Sequence, residues 1–302
     1  VPLHRHGDSP ILKKYPDLVL RDDDGQPCVF GYRGAPTWAV DPTAPSAAEY
    51  FRETYARLVD WGYTFHKFDF LRAVPNAHRP RFHDPKATRA QAYRRGMELI
   101  RKALGAECYL LACGGLFEAG IGLVDSQRSG CDVRADWKGA NYAPERSNVL
   151  VSIKQNVMRS HYNRVWHTDP DALMVWRREE PFRGIEKYAH LSRGRLTDEE
   201  AFTLTVNQYL GGGMICVGGR FEELEDDRRA LLKHVIPWSA PAARPLDYGA
   251  PNCPTLFLTR VTPSCAGLAP WWTLAVANWS EAAVRREVRL DAPDLPSNAV
   301  FA

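Results

Sequence analysis

From about residue 36 to 235 the chain alternates short β-rich runs with longer amphipathic stretches. This feature restricts its fold most, because two parallel strands can be joined only through a crossover, usually a helix. Strands are predicted at residues 37–40, 63–70, 108–112, 122–125, 165–166 and 214–217. Capping boxes mark helix starts at Ser46-Ala-Ala-Glu49, Thr88-Arg-Ala-Gln91 and Thr197-Asp-Glu-Glu200, where a hydroxyl accepts from the third backbone N–H and an acid or amide reaches back. After the first box, Phe51, Tyr55, Leu58 and Val59 fall on one helical face and predict a buried stripe. Gly105 suits the C-cap of the second helix. The fold class expected is therefore α/β, with a parallel sheet and the size of a (β/α) barrel, since about 250 residues is ordinary for one.

The stretch from Pro237 to Pro254 is rich in proline and alanine and reads as a connection leaving the barrel. Beyond it, residues 255–261, 271–279 and 285–290 are predicted as strands of an antiparallel module. The domains expected are a barrel over 1–240 and a partial antiparallel β-sandwich domain over 241–302. The formal charge of +3 is spread over nearly balanced acids and bases, which gives no footprint for nucleic acid or anionic lipid. No run of about 18 apolar residues is present to span a bilayer. The seven cysteines form no C-x-x-C pair, and their odd number favours a reducing, cytoplasmic setting over a disulfide framework. Val1 stands where an initiator methionine is expected, so an upstream segment is anticipated. A homo-oligomer is left open.

In His66-Lys-Phe-Asp-Phe70, the period of two along a strand puts Lys67 and Asp69 on one side. Acids at the C-terminal ends of barrel strands are where such proteins keep catalytic groups, and an ammonium beside the acid favours its ionised form. A structural ion pair at a strand end explains the pattern about as well. A second cluster over residues 123–137 crowds Asp125, Arg128, Asp132 and Trp137 into a loop after a strand; it reads either as the second carboxyl that glycoside hydrolysis requires or as a solvated charged loop. Weaker signals are His4-x-His6, which lacks further histidines at strand ends and predicts no metal site, and Asp169-Pro-Asp171, which fits a turn. Asn278-Trp-Ser280 matches a glycosylation sequon that arises often by chance, and the glycines at 211–213 and 218–219 lack phosphate-loop spacing.

The ordered motifs SPILKKYPDLVLRDDDGQP, WAVDPTAP, HKFDFL, LLACGG, GLVDSQRSGCDV, HTDPDALMV, LTDEEA and GGGMICVGG, over residues 8 to about 280, resemble the α-galactosidases of glycoside hydrolase families 27 and 36 (clan D), most closely the bacterial family 36 type. The resemblance implies a (β/α)8 TIM barrel, its first strands lying before Val1, followed by an antiparallel β domain. It implies a retaining exo-hydrolase of terminal α-linked galactose that needs no cofactor. In it Asp69 of K-x-D would be the nucleophile and Asp132 of R-x-x-x-D the acid/base. Lys67 and Arg128 would bind sugar hydroxyls, Cys113 would line the pocket, and Trp137 would stand near its wall. Cys113-Gly-Gly-Leu-Phe117 replaces the family's C-G-x-P-L, Thr168-Asp-Pro-Asp171 replaces N-D-P-D, and the aspartate expected near Gly218 and Gly219 is absent. The first and third changes touch the pocket and leave β-L-arabinopyranosidase or α-N-acetylgalactosaminidase activity as alternatives, beside a sugar-binding barrel without turnover.

Overall fold

A computed structural model describes residues 2–3, 9–32, 35–138, 148–177, 196–236, 241–251, 253–263 and 265–288, so His4 and His6 lie outside the described residues. The chain forms two compact units, Val1–Arg128 and Ser129–Ala302. Among the described residues, both units mix helices and strands. No helix among the described residues is long and apolar enough to cross a membrane, and all seven cysteines are free thiols.

In the first unit, β1 (Pro2–Leu3), β4 (Ala35–Ala39) and β3 (Val29–Tyr32) make an antiparallel sheet in the order β1-β4-β3. The strand predicted at 37–40 therefore belongs to a hairpin, with Val29 opposite Trp38, and does not open a parallel sheet. Burial decides this: Leu20, Cys28 and Ala39 close over Ala73 and Ala77, a small core that the hairpin covers. The parallel ladder comes next, β5 (Phe65–Phe68) beside β7 (Tyr109–Ala112) beside β8 (Ser126–Arg128). Its crossover helices are α2 (Ala47–Asp60) and α3 (Arg89–Leu104). Phe68 packs edge-on against Tyr55 of α2, ring centroids 5.2 Å apart, which seats that helix on the sheet.

Of the predicted capping boxes, those at Thr88 and Thr197 form with both reciprocal bonds. Ser46 does not cap; its hydroxyl donates to Asp17 Oδ1 at 2.6 Å and its N–H to Asp17 Oδ2 at 3.0 Å, so a remote carboxylate has taken the group the helix end would use. Of the predicted stripe, Phe51 and Tyr55 are buried, Leu58 is half-buried and Val59 is exposed. Gly105 caps α3 with φ +80°, a conformation that favours glycine.

The strand predicted at 122–125 forms instead at Ser126–Arg128. A short helix at Phe117–Gly120 and Gly122 at φ +79° occupy the earlier residues. Asp125 then fixes the strand start, accepting from Leu110 N at 2.7 Å and from Arg101 Nη2 at 2.6 Å. Arg128 thus ends the strand itself.

The second unit carries α5 (Val149–Arg159), β9 (His167–Asp169) and the helix Asp198–Gly211, with Ala172–Leu173 pairing parallel to Cys216–Val217. Its core gathers Ile153, Leu173, Val175, Leu204 and Phe257. Arg228, 1% exposed, donates to the carbonyls of Val175, Leu196 and Thr197 and to the Asp198 carboxylate. The unit also holds an antiparallel sheet of Arg244–Pro245, Leu256–Val261 and Trp271–Val276. Its third strand comes from the proline-rich stretch, held by Asp247 accepting from Thr255 N and Leu256 N; residues 285–288 form no strand. Parallel ladders are present, but the strand order among the described residues does not itself close a barrel of eight.

Candidate active site

In the first unit, strand alternation buries His66 and Phe68 and turns Phe65, Lys67 and Asp69 outward. Asp69 lies one residue past the strand, at its C-terminal end. Phe70 follows in the left-handed region at φ +56°; its ring is held against Phe30 at 5.8 Å, and the Arg72 guanidinium lies 5.7 Å from its centroid. The sharp turn lets Asp69 Oδ1 accept from Phe70 N at 2.7 Å, which fixes the carboxylate relative to the strand end.

Cys113 follows β7 and is tied to the neighbouring strand, its N–H donating to Phe68 O at 2.7 Å. Its side chain meets Asp69, while Arg128 and Lys67 act on it through their charges. Burial is the main cause that pushes the thiol up to about 12; Arg128 opposes the shift and the bond to Asp69 adds to it. Cys113 is therefore a neutral S–H beside an acid. Four of the six sequence-predicted site residues, Lys67, Asp69, Cys113 and Arg128, thus meet at the C-terminal ends of three adjacent parallel strands. In parallel α/β folds that end carries the ligand-binding groups.

Asp132 and Trp137 belong to the second unit. Asp132 is exposed, on a loop whose backbone is clamped on both sides. Cys131 N donates to Gln155 Oε1 at 2.8 Å, and Val133 N to Asp171 Oδ2 at 2.6 Å. Asp171 sits at φ +72° and its own N–H donates to Asp169 Oδ1 at 2.8 Å, so Asp169-Pro-Asp171 is a turn, and its second acid reaches the loop that bears Asp132. The neighbouring Arg134 has its guanidinium pushed down by burial, an effect the Asp132 carboxylate opposes. Trp137 packs on the core of this unit and lines a cavity with Phe202 and Trp279.

Asp171, Gln155 and Arg134 were not singled out from sequence as site residues. Asp171 lay within a noticed motif, but nothing in a string of residues marks its reach across 38 positions to Val133. Gln155 is one polar residue on an amphipathic helix, which carries no signal.

No family model matches the chain. Among solved structures, an α-galactosidase from Thermus thermophilus, in complex with p-nitrophenyl α-D-galactopyranoside, is 25% identical with a TM-score of 0.63. The match covers 83% of this chain and 47% of that one. The same enzyme in complex with stachyose gives 26% identity and a TM-score of 0.59, over 76% and 47% of the two chains. The chain shares its fold with α-galactosidases. A family 27 β-L-arabinopyranosidase from Geobacillus stearothermophilus, 14% identical with a TM-score of 0.54 over 82% and 52% of the two chains, agrees at the level of fold. The chain spans about half the length of these enzymes.

Proposed function

We propose that this chain carries the catalytic residues of a glycoside hydrolase that releases terminal α-linked galactose with retention of configuration. The observation that carries this reading is the meeting of Lys67, Asp69, Cys113 and Arg128 at the ends of parallel strands, in a fold shared with α-galactosidases, one of them bound to an α-galactoside. A structural ion pair would account for Lys67 and Asp69 alone, but not for a buried thiol that meets the Asp69 carboxylate and feels the charges of both Lys67 and Arg128.

In the proposed reaction the Asp69 carboxylate attacks the anomeric carbon and the bond to the departing oxygen breaks. Asp132, as the acid, gives that oxygen its proton. Asp132 then takes a proton from water, which attacks the same carbon and frees Asp69. Lys67 and Arg128 donate to sugar hydroxyls, and the Cys113 thiol borders the sugar while holding Asp69 in place. The test is hydrolysis of p-nitrophenyl α-galactopyranoside by the full-length protein. Asp69→Ala is expected to abolish turnover by several orders of magnitude. Asp132→Ala is expected to spare this activated substrate relative to an oligosaccharide, and equal loss on both would contradict the assignment.

A further inference from the structure

Arg72 stands three residues past Asp69, in the single helical turn Leu71–Ala73 that follows β5 in the first unit. Its guanidinium lies against two aromatic rings, 5.4 Å from the centroid of Phe30 and 5.7 Å from that of Phe70. Gly114, the residue after Cys113, borders it as well: a β-carbon there would stand 3.2 Å from Arg72 Nη1. Gly114 holds φ +69°, a conformation that favours glycine, so its bare α-carbon leaves the guanidinium its room. The Leu71 N–H donates to Cys113 O at 3.3 Å and joins the turn to the loop after β7. Arg72 is thereby placed at the same strand ends as Asp69 and Cys113.

The rings and the glycine fix where this cation sits without satisfying its donors. Arg72 is exposed, and its side chain makes no hydrogen bond or ion pair among the described residues. Other arginines of the unit are engaged: Arg79 and Arg81 pair with Asp23, while Arg89 and Arg101 donate to carbonyls. Asp69 has its own partners, the Phe70 N–H and the Cys113 side chain. A solvated arginine on a mobile stem has no reason to select a ligand, but one held in place beside a strand-end carboxylate presents its fork of N–H groups at a fixed point.

A planar guanidinium matches a carboxylate or a phosphate, which can take two of its donors at once, better than it matches a lone hydroxyl. In the reading above, Lys67 and Arg128 serve the hydroxyls of galactose, a neutral sugar that offers a third cation no charge to meet. We infer that Arg72 is a specificity-determining residue that binds an oxyanion, carboxylate or phosphate, on the group attached to the galactose, so that the favoured ligands are α-galactosides of acidic partners. The inference rests on the galactosidase reading for the sugar, and it adds the chemical class of what the sugar is joined to.

The test is calorimetric titration of the full-length protein with three sulfur-linked α-galactosides, which resist hydrolysis and whose second group is glycerol, glycerate or glycerol phosphate. At least one of the two acids is expected to bind about tenfold or more tightly than the neutral compound, and the one that gains more identifies the oxyanion. Arg72→Gln should erase that preference, and Arg72→Lys should restore part of it, because a point charge replaces the fork. Arg72 is exposed, so both variants should keep the melting temperature of the parent, and a lost preference then reports the guanidinium and not the fold. Equal binding of the three compounds, binding of none, or a preference that survives Arg72→Gln overturns the inference. Hydrolysis of p-nitrophenyl α-galactopyranoside by the same protein is read alongside. Turnover without a preference for acids sinks the role of Arg72 alone, whereas a preference that depends on Arg72 without turnover sinks the hydrolase reading and leaves the oxyanion site standing.

Discussion

Replacement of Asp171 separates positioning from stability. Its carboxylate accepts from Val133 N at 2.6 Å, adjacent to Asp132, while its own backbone holds φ +72°. A hydrogen bond to a charged group contributes about 1.5–3 kcal/mol, and a non-glycine residue in the left-handed region costs about 1–2 kcal/mol. Asp171→Gly loses the first and relieves the second, so the net change lies between a gain of about 0.5 kcal/mol and a loss of about 2 kcal/mol, several degrees of melting temperature at most. The Asp132 loop loses one of its two clamps all the same, and displacement of a reacting group by about 1 Å can cost roughly 100-fold in rate. Turnover of an oligosaccharide α-galactoside, whose departing sugar takes its proton from Asp132 in the proposed reaction, is expected to fall by about 10–100-fold, and that of p-nitrophenyl α-galactopyranoside far less. Asp171→Asn keeps an acceptor and tolerates the left-handed region, so it should recover most of the rate. Equal loss on both substrates, or no kinetic change in the glycine variant, would refute the clamp.

Arg228→Met should destabilise the second unit by about 1–3 kcal/mol, because the carbonyls of Val175, Leu196 and Thr197 lose their donor while the mostly exposed Asp198 carboxylate turns to water; denaturant unfolding measures it, and no loss of stability would contradict it. Folded Cys113 should resist iodoacetamide at pH 8.5 while the exposed Cys216 and Cys265 react, as read by mass spectrometry. Because burial raises the Cys113 thiol from 9.0 to about 12, the folded state keeps a proton that the unfolded state releases. Stability is therefore expected to fall as pH climbs from 9 toward 12, with Cys113→Ala showing a shallower decline in melting temperature over that window.

The parallel ladder was legible in sequence because its signals are local. The run around Lys67 and Asp69 alternates as a strand should, and Thr88 and Gln91 carry their cap within four residues. What the sequence hid was decided by distant partners. Asp17 drew Ser46 away from its helix end, and Asp125 bound Arg101 and Leu110 so that the next strand began after it. The proline-rich stretch yielded a strand because Asp247 satisfies the backbone of residues 255 and 256. The site follows the same division. Lys67, Asp69, Cys113 and Arg128 end successive strands, so register alone gathers them, whereas Asp171 reaches its loop through a backbone conformation that composition does not encode.

The most direct test of the proposed double displacement is to capture its covalent intermediate. The full-length protein is incubated with an activated 2-deoxy-2-fluoro-galactoside, which slows breakdown of the glycosyl–enzyme bond, and the digest is read by mass spectrometry. A fluorogalactosyl adduct on Asp69, missing in Asp69→Ala, is the result expected. Inactivation through another carboxylate, or release of the sugar with inverted configuration and no adduct, would contradict the role given to Asp69.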